Sequence, residues 1–184
     1  MMRLDLLRVA ATILTALVCG LGFAHVLEAP AKKAYPAPLY VELQKSLYVQ
    51  WGPPQIGGFL EPLAIAATGL LALSLWRQRL PHRFTLAGVF LLFLAFPVVF
   101  FLLVAPANSA FRAATPLTFP PNWADLRDSW EMGHALRFGL QFAALVSLVL
   151  ALTFHHSNVP RTPTISKARR AEGDSQADKA EARR

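Results

Sequence analysis

The sequence predicts an all-α, polytopic membrane protein: an up-down bundle of four transmembrane helices with structured outer loops and a disordered, basic C-terminal tail. Three observations predict it. Apolar residues fall into four blocks of roughly the 20 residues that a bilayer requires. Charged residues make up only 16% of the chain and hydrophobic residues 54%, whereas a soluble domain carries about 25% charged residues. The basic residues gather at block ends: Arg3 and Arg8 before the first, Arg77, Arg79 and Arg83 between the second and third, and Arg161, Lys167, Arg169 and Arg170 after the fourth. That placement follows the positive-inside rule.

The net charge of +7 invites a nucleic-acid reading. The position of the charges, flanking apolar blocks rather than lining one surface, argues against it. Cys19 is the only cysteine, so no internal disulfide staples the loops. It lies inside the first apolar block and reads as a small packing residue. Leu17-Val18 before it do not suit a lipoprotein site. Arg3 and Arg8 resemble the basic start of a signal peptide, but Gly22 to Glu28 offer no small-x-small cleavage site. The first block therefore reads as a retained helix.

Within a helical domain over 1–156, the first helix is expected at about 9–27. A polar, proline-bearing stretch with Tyr35, Tyr40, Tyr48 and Trp51 follows; such aromatics collect at membrane interfaces. Leu39 to Tyr48 suits a short amphipathic helix lying on that surface, and Gly57-Gly58 punctuate the return. The second helix is expected at about 59–76 and the third, after the basic turn, at about 86–105. Pro97 should kink the third helix. A second outer segment runs from Pro106 to about Ser129. The fourth helix is expected at about 129–154, capped by Asn122 or Asp125. Residues 157–184 are rich in Arg, Lys, Ala and Glu, hold no large apolar residue after Ile165, and read as a disordered tail resting on anionic headgroups. The charge bias puts the protein in the cell (inner) membrane with both termini cytoplasmic. Lys32 and Lys33 oppose this orientation but are outnumbered.

The ionisable residues carry the functional signal. The first helix ends outward with His25 and Glu28, and the second begins outward with Glu61. The third ends outward at Asn108, and the fourth begins outward with Glu131, His134 and Arg137. In an up-down bundle these four ends meet at one level. Residues three apart on a helix share a face, so His25 and Glu28, Glu131 and His134, and His134 and Arg137 can point inward together. Ionisable groups held within a membrane bundle usually mark a working site.

Three readings of this cluster compete. In the first, His25, Glu28, Glu61, Glu131 and His134 ligate a metal. Glu131-x-x-His134 has the order of four-helix di-metal proteins, but His25-x-x-Glu28 is reversed and Asn108 stands where such a site would have Glu. In the second, a His beside a carboxylate takes a proton from an acidic carbon, and Arg137 or Arg127 steadies the anion, with no cofactor. In the third, the charges only staple the helix ends together. His155 and His156, at the inner end of the fourth helix, read as interfacial, and His82 as one more member of the basic turn. No glycine-rich phosphate loop, nucleophile elbow or CxxC is present, which argues against ATPase and hydrolase chemistry.

Ala24-His25-Val26-Leu27-Glu28-Ala29-Pro30-Ala31-Lys32, Gly57-Gly58-Phe59-Leu60-Glu61-Pro62, and Asn108 with the stretch Asn122 to Arg137 resemble the small four-span membrane proteins of the anthrone-oxygenase-like superfamily. The third stretch carries the most specific part, Trp123-x-x-Leu126-Arg127-x-x-Trp130-Glu131-x-x-His134. The resemblance covers about residues 6–156. It implies oxidation of an anthrone to an anthraquinone by molecular oxygen, without metal or flavin. It would assign proton abstraction to His134 or His25, with Trp130 and Trp51 near the substrate.

The function expected is thus oxygenation of a membrane-soluble aromatic, anthrone- or quinol-like molecule at an outward polar site. The candidate residues are His25, Glu28, Glu61, Asn108, Arg127, Trp130, Glu131, His134 and Arg137. The alternative is a non-enzymatic metal- or ligand-binding protein, or an accessory subunit of a membrane complex. A transporter is disfavoured, because transporters place their sites near the midplane. Lipid is the expected surrounding partner; protein partners and oligomeric state stay open.

Overall fold

The computed structural model describes residues 2–52, 55–115 and 117–156. The expected tail, 157–184, lies outside the described residues, as do the side chains of His155 and His156. Every regular element described is helical: α1 (Met2–Lys33), α2 (Ala37–Ser46), a 3₁₀ turn (Tyr48–Gln50), α3 (Ile56–Ser74), α4 (Arg79–Phe93), a π-helical stretch (Leu94–Val104), α5 (Ala105–Ala113) and α6 (Trp123–His156).

Four continuous stretches are long and apolar enough to cross a membrane: Arg3–Lys33, Ile56–Ser74, Arg79–Ala113 and Trp123–Phe154. Three of them outrun their apolar blocks. The 32 residues of α1 span about 48 Å, against a hydrocarbon layer of about 30 Å. Helix therefore continues through Glu28 and Lys32 instead of giving way to loop. Once the backbone is wound, each further residue adds a hydrogen bond at little cost, so a helix stops where packing stops rewarding it. The fourth span likewise begins at Trp123, six residues before the expected start.

Pro97 has no N–H to give to an α-helical ladder. The chain answers by widening into π-helix over Leu94–Val104, and the amide of Ala105 reaches back five residues to the carbonyl of Phe100. π-Helical turns are rare, and often lie beside a functional site. The expected kink is thus spread over a stretch and not concentrated at one residue.

The packing forms levels. Ala11 of α1 meets Leu71 of α3, Leu75 just after it, and Leu148 of α6. One level along, Val18 meets Ala64, Leu92 and Ala144. Residue numbers rise through α1 and α4 and fall through α3 and α6. The next level in that direction is polar and holds the site. On α1 the buried positions Arg8, Ala11, Thr15, Val18 and His25 follow helical spacing. The opposite faces expose large apolar side chains such as Leu17, Phe59, Leu73 and Leu102, as a lipid-facing surface would.

The amphipathic segment does not lie on a free surface. Its apolar side is taken up by the protein itself. Tyr40 and Val41 of α2 are fully buried against Phe111 of α5 and Trp130 of α6, together with Tyr48 of the 3₁₀ turn. The segment 37–52 is therefore a cap over one end of the bundle. Its return is tight: a Cβ on Gly57 would lie 2.1 Å from the carbonyl oxygen of Trp51, and the Gly57 amide donates to that oxygen at 3.0 Å.

Candidate functional site

The site lies beneath this cap. Trp130, His134, Arg137 and Gln141 recur on α6 at intervals of four, three and four residues, one face of the helix. His25 and Lys32 come from α1, Glu61 from the first turns of α3, Asn108 from α5, and Tyr40, Tyr48 and Trp51 from the cap. The side chains of His25, Lys32, Trp130, Glu131, His134, Arg137 and Gln141 are all buried.

Two charge networks divide the cluster. Nearer the cap, Lys32 Nζ lies 3.1 Å from Glu131 Oε2 and 3.8 Å from Glu28 Oε2. It also stands 4.5 Å from the Trp130 ring centroid and 4.7 Å from that of Tyr48. A buried ammonium needs this surround of carboxylates and ring faces. Tyr40 donates its hydroxyl to Glu131 Oε1 at 3.1 Å, and Tyr48 donates to Glu28 Oε2 at 2.6 Å. Burial, with Glu131 beside it, pushes the Tyr40 hydroxyl well above the usual tyrosine value. Burial and the bond to Glu28 do the same for Tyr48. Both remain protonated donors, so the cap is held to α1 and α6 by hydrogen bonds to carboxylates.

Deeper in, Arg137 pairs with Glu61, and its Nη1 lies 3.3 Å from His134 Nδ1. Arginine only donates. The contact therefore makes Nδ1 of His134 the acceptor, and the ring's proton belongs on Nε2. The His25 and His134 rings stand 3.9 Å apart, tilted by 34°. Trp130 meets His25 edge-on at 5.0 Å, and Trp51 and Tyr48 flank His25 at 5.2 Å each. Trp130 itself is fixed by an indole N–H bond of 2.7 Å to Asn108 Oδ1.

A cavity of about 60 Å³ opens among these groups, bounded by His25, Glu61, Trp130, His134, Arg137 and Gln141. Four buried atoms of its lining residues have no hydrogen-bond partner in the protein: His25 Nδ1, Glu61 Oε2, Gln141 Oε1 and the donor Arg137 Nε. Such a volume holds a few waters but is well below the roughly 150 Å³ that accepts benzene. It admits a polar group or the edge of a ring.

Most of the residues nominated from sequence converge here. His25, Glu61, Asn108, Trp130, His134 and Arg137 bound the cavity. Glu28 and Glu131 belong to the cap-side network, and Arg127 stands apart. Arg127 donates to the carbonyl of Lys33 at 3.1 Å, pairs with Asp128 and stacks on Trp123 at 5.0 Å. It anchors the start of α6 to the end of α1 and does not reach the cavity. The proposed metal set does not come together: among the described residues, no three His, Cys, Asp or Glu side chains converge as ligands. Each carboxylate has turned to another partner, Glu28 to Tyr48, Glu61 to Arg137 and Glu131 to Lys32.

Four residues of the site were not among the sequence candidates. Lys32 counts in the sequence only as a charge opposing the orientation, yet its spacing of seven from His25 continues the buried stripe of α1. Gln141 follows Arg137 by four on the buried face of α6. Tyr40 and Tyr48 read as interfacial aromatics, and nothing local to them marks their hydroxyls as carboxylate partners. His82 is not simply part of the basic turn either: its Nδ1 lies 2.9 Å from the Ala72 carbonyl, joining α4 to the end of α3.

The fold and site together define a class: a four-helix protein built to cross a membrane, with a capped polar cavity at one end. No family model, curated protein or solved structure matches this chain.

Proposed function

We propose that the chain is a multi-pass protein of the cell (inner) membrane that oxygenates a membrane-soluble aromatic or quinol-like substrate by acid–base chemistry, as its resemblance to the anthrone oxygenases suggests. One observation carries the reading: the Arg137 contact gives the two facing histidines different roles. His134 presents Nε2–H and acts as a donor to developing negative charge on the substrate oxygen. His25, with Nδ1 free of protein partners, acts as the base.

For an anthrone, His25 takes a proton from the methylene carbon that lies across the central ring from the carbonyl. The resulting enolate gives its electrons to molecular oxygen, forming a C–O bond and a peroxide anion, which takes the proton back from His25. Loss of water from the hydroperoxide leaves the new carbonyl, so CH₂ and O₂ become C=O and H₂O. On this reading the substrate enters edge-first, with its remaining rings beside Trp51.

The test is oxygen consumption and quinone absorbance with the purified chain and an anthrone. His25→Ala should lower kcat/KM by about 10²–10⁴-fold with helicity and detergent-phase elution unchanged. His134→Asn, which keeps an N–H, should lose less than His134→Ala. Full activity in His25→Ala would remove the acid–base assignment.

A second reading is favoured by the pairing of every cluster carboxylate with a donor or cation: a non-enzymatic ligand-binding protein or accessory subunit whose charges hold the cap in place. It predicts no turnover across an anthrone and quinol panel, and a partner that co-purifies in mild detergent.

A further inference from the structure

We infer that Gln141 is a ligand-anchoring residue, and that with Glu61 it selects a hydroxyl-bearing ring edge over the same ring without the hydroxyl. The inference deepens the proposed function, resting on the same cavity, but it concerns binding and not turnover.

Gln141 is 2% exposed, borders the cavity, and its Oε1 has no partner in the protein. Glu61 Oε2 is in the same condition: Arg137 occupies Oε1 and leaves the second oxygen facing the cavity. A buried acceptor without a protein donor is costly, and water or a bound molecule that donates to it relieves that cost. Two such acceptors, with the unpartnered Arg137 Nε–H in the same lining, call for a ligand group that both donates and accepts a hydrogen bond. The cations nearby, Arg137 and Lys32, work against an ammonium ligand, since like charge would be brought into a buried site. A neutral hydroxyl on an aromatic ring meets both requirements. It donates to Gln141 or Glu61, its oxygen can accept from His134 Nε2–H, and its ring lies against Trp51 and Trp130.

The backbone makes room for this amide. A Cβ on Gly22 would lie 2.6 Å from Gln141 Oε1 and 3.3 Å from the Phe138 backbone. Glycine at position 22 therefore lets the Gln141 oxygen lie where it does, at the level below His25.

The experiment is calorimetric titration of the detergent-purified full chain with 1-naphthol and with naphthalene, which share a ring body and differ in one hydroxyl group. Wild type should prefer the naphthol by about tenfold, the cost of leaving a buried acceptor unpaired. Gln141→Leu removes the acceptor, and Gly22→Ala displaces it without altering the amide. Both should reduce the preference to about threefold or less, and the second serves if the first fails to fold. No preference in wild type, no binding of naphthol, or an unchanged preference in both variants would overturn the inference. Naphthol selectivity that depends on Gln141, without oxygen consumption on anthrones, would leave it standing and remove the oxygenase reading. Anthrone turnover by Gln141→Leu with unchanged KM would do the reverse.

Discussion

At the residue scale, the site shows how far ionisable groups can be trusted when read from spacing alone. Glu131 and His134 are three apart and were grouped as ligands of one centre, yet Glu131 faces Lys32 and Tyr40 while His134 faces His25. Sharing a helix face brings two side chains within reach of each other. It does not decide which third group takes each of them. In a membrane bundle that choice follows charge neutralisation, because an unpaired carboxylate is far costlier than an unfilled ligand position. The Glu61–Arg137 pair makes this testable. The two side chains are 12% and 7% exposed, and removing one partner leaves the other buried without a counter-charge. Glu61→Gln and Arg137→Gln should each destabilise the chain by about 3–5 kcal/mol. The double variant should cost less than the sum, by about 1–3 kcal/mol of coupling. Thermal unfolding in detergent across the four proteins measures it. Strict additivity would mean the two groups do not interact.

At the element scale, the four spans were legible because each is an apolar block of membrane length, a signal that survives any detail of packing. The ends of the helices and the cap were not. Apolarity marks where a helix is buried in lipid, and it is silent about how far the same helix continues through Glu28, Lys32 or Asp125 once neighbours pack against it. The cap was misplaced for a related reason. The pattern Ala37, Tyr40, Val41 and Gln44 shows that one face is buried, but lipid and protein both satisfy it. The return from the cap into α3 is fixed by a backbone contact that no periodicity reveals, the Gly57 amide on the Trp51 carbonyl. Gly57→Ala places a methyl group 2.1 Å from that oxygen, so the Tyr48–Trp51 turn has to move outward. The expected outcome is faster amide hydrogen exchange over 44–57, with exchange in α6 below Gln141 unchanged. Protection equal to wild type in the cap would show that this contact does not fix the return.

At the scale of the whole molecule, the polar residues and the apolar surface lie where a single arrangement in a bilayer satisfies both. Large apolar side chains face outward along the middle of the bundle, and the ionisable site sits at one end, where helices longer than the hydrocarbon layer carry it toward the headgroups. Which side of the membrane that end faces is a separate matter, decided by the distribution of basic residues. The burial of Lys32 bears on it. Neutralised by Glu131 and Glu28, Lys32 no longer counts as a free charge opposing the bias, and the Arg77, Arg79 and Arg83 turn weighs more heavily for the cytoplasm. Of these, Arg77, Arg79 and Arg83 are all exposed, and at the other end Leu117 is 92% exposed. Because Cys19 is the chain's only cysteine, Cys19→Ser gives a background into which one cysteine can be placed at a time. In intact cells, a membrane-impermeant maleimide should label Leu117→Cys and spare Arg79→Cys, and permeabilisation should make Arg79→Cys reactive. The opposite pattern would turn the site toward the cytoplasm. A substrate would then reach it from the inner leaflet, and the positive-inside reading of this chain would fail along with the outward-facing site.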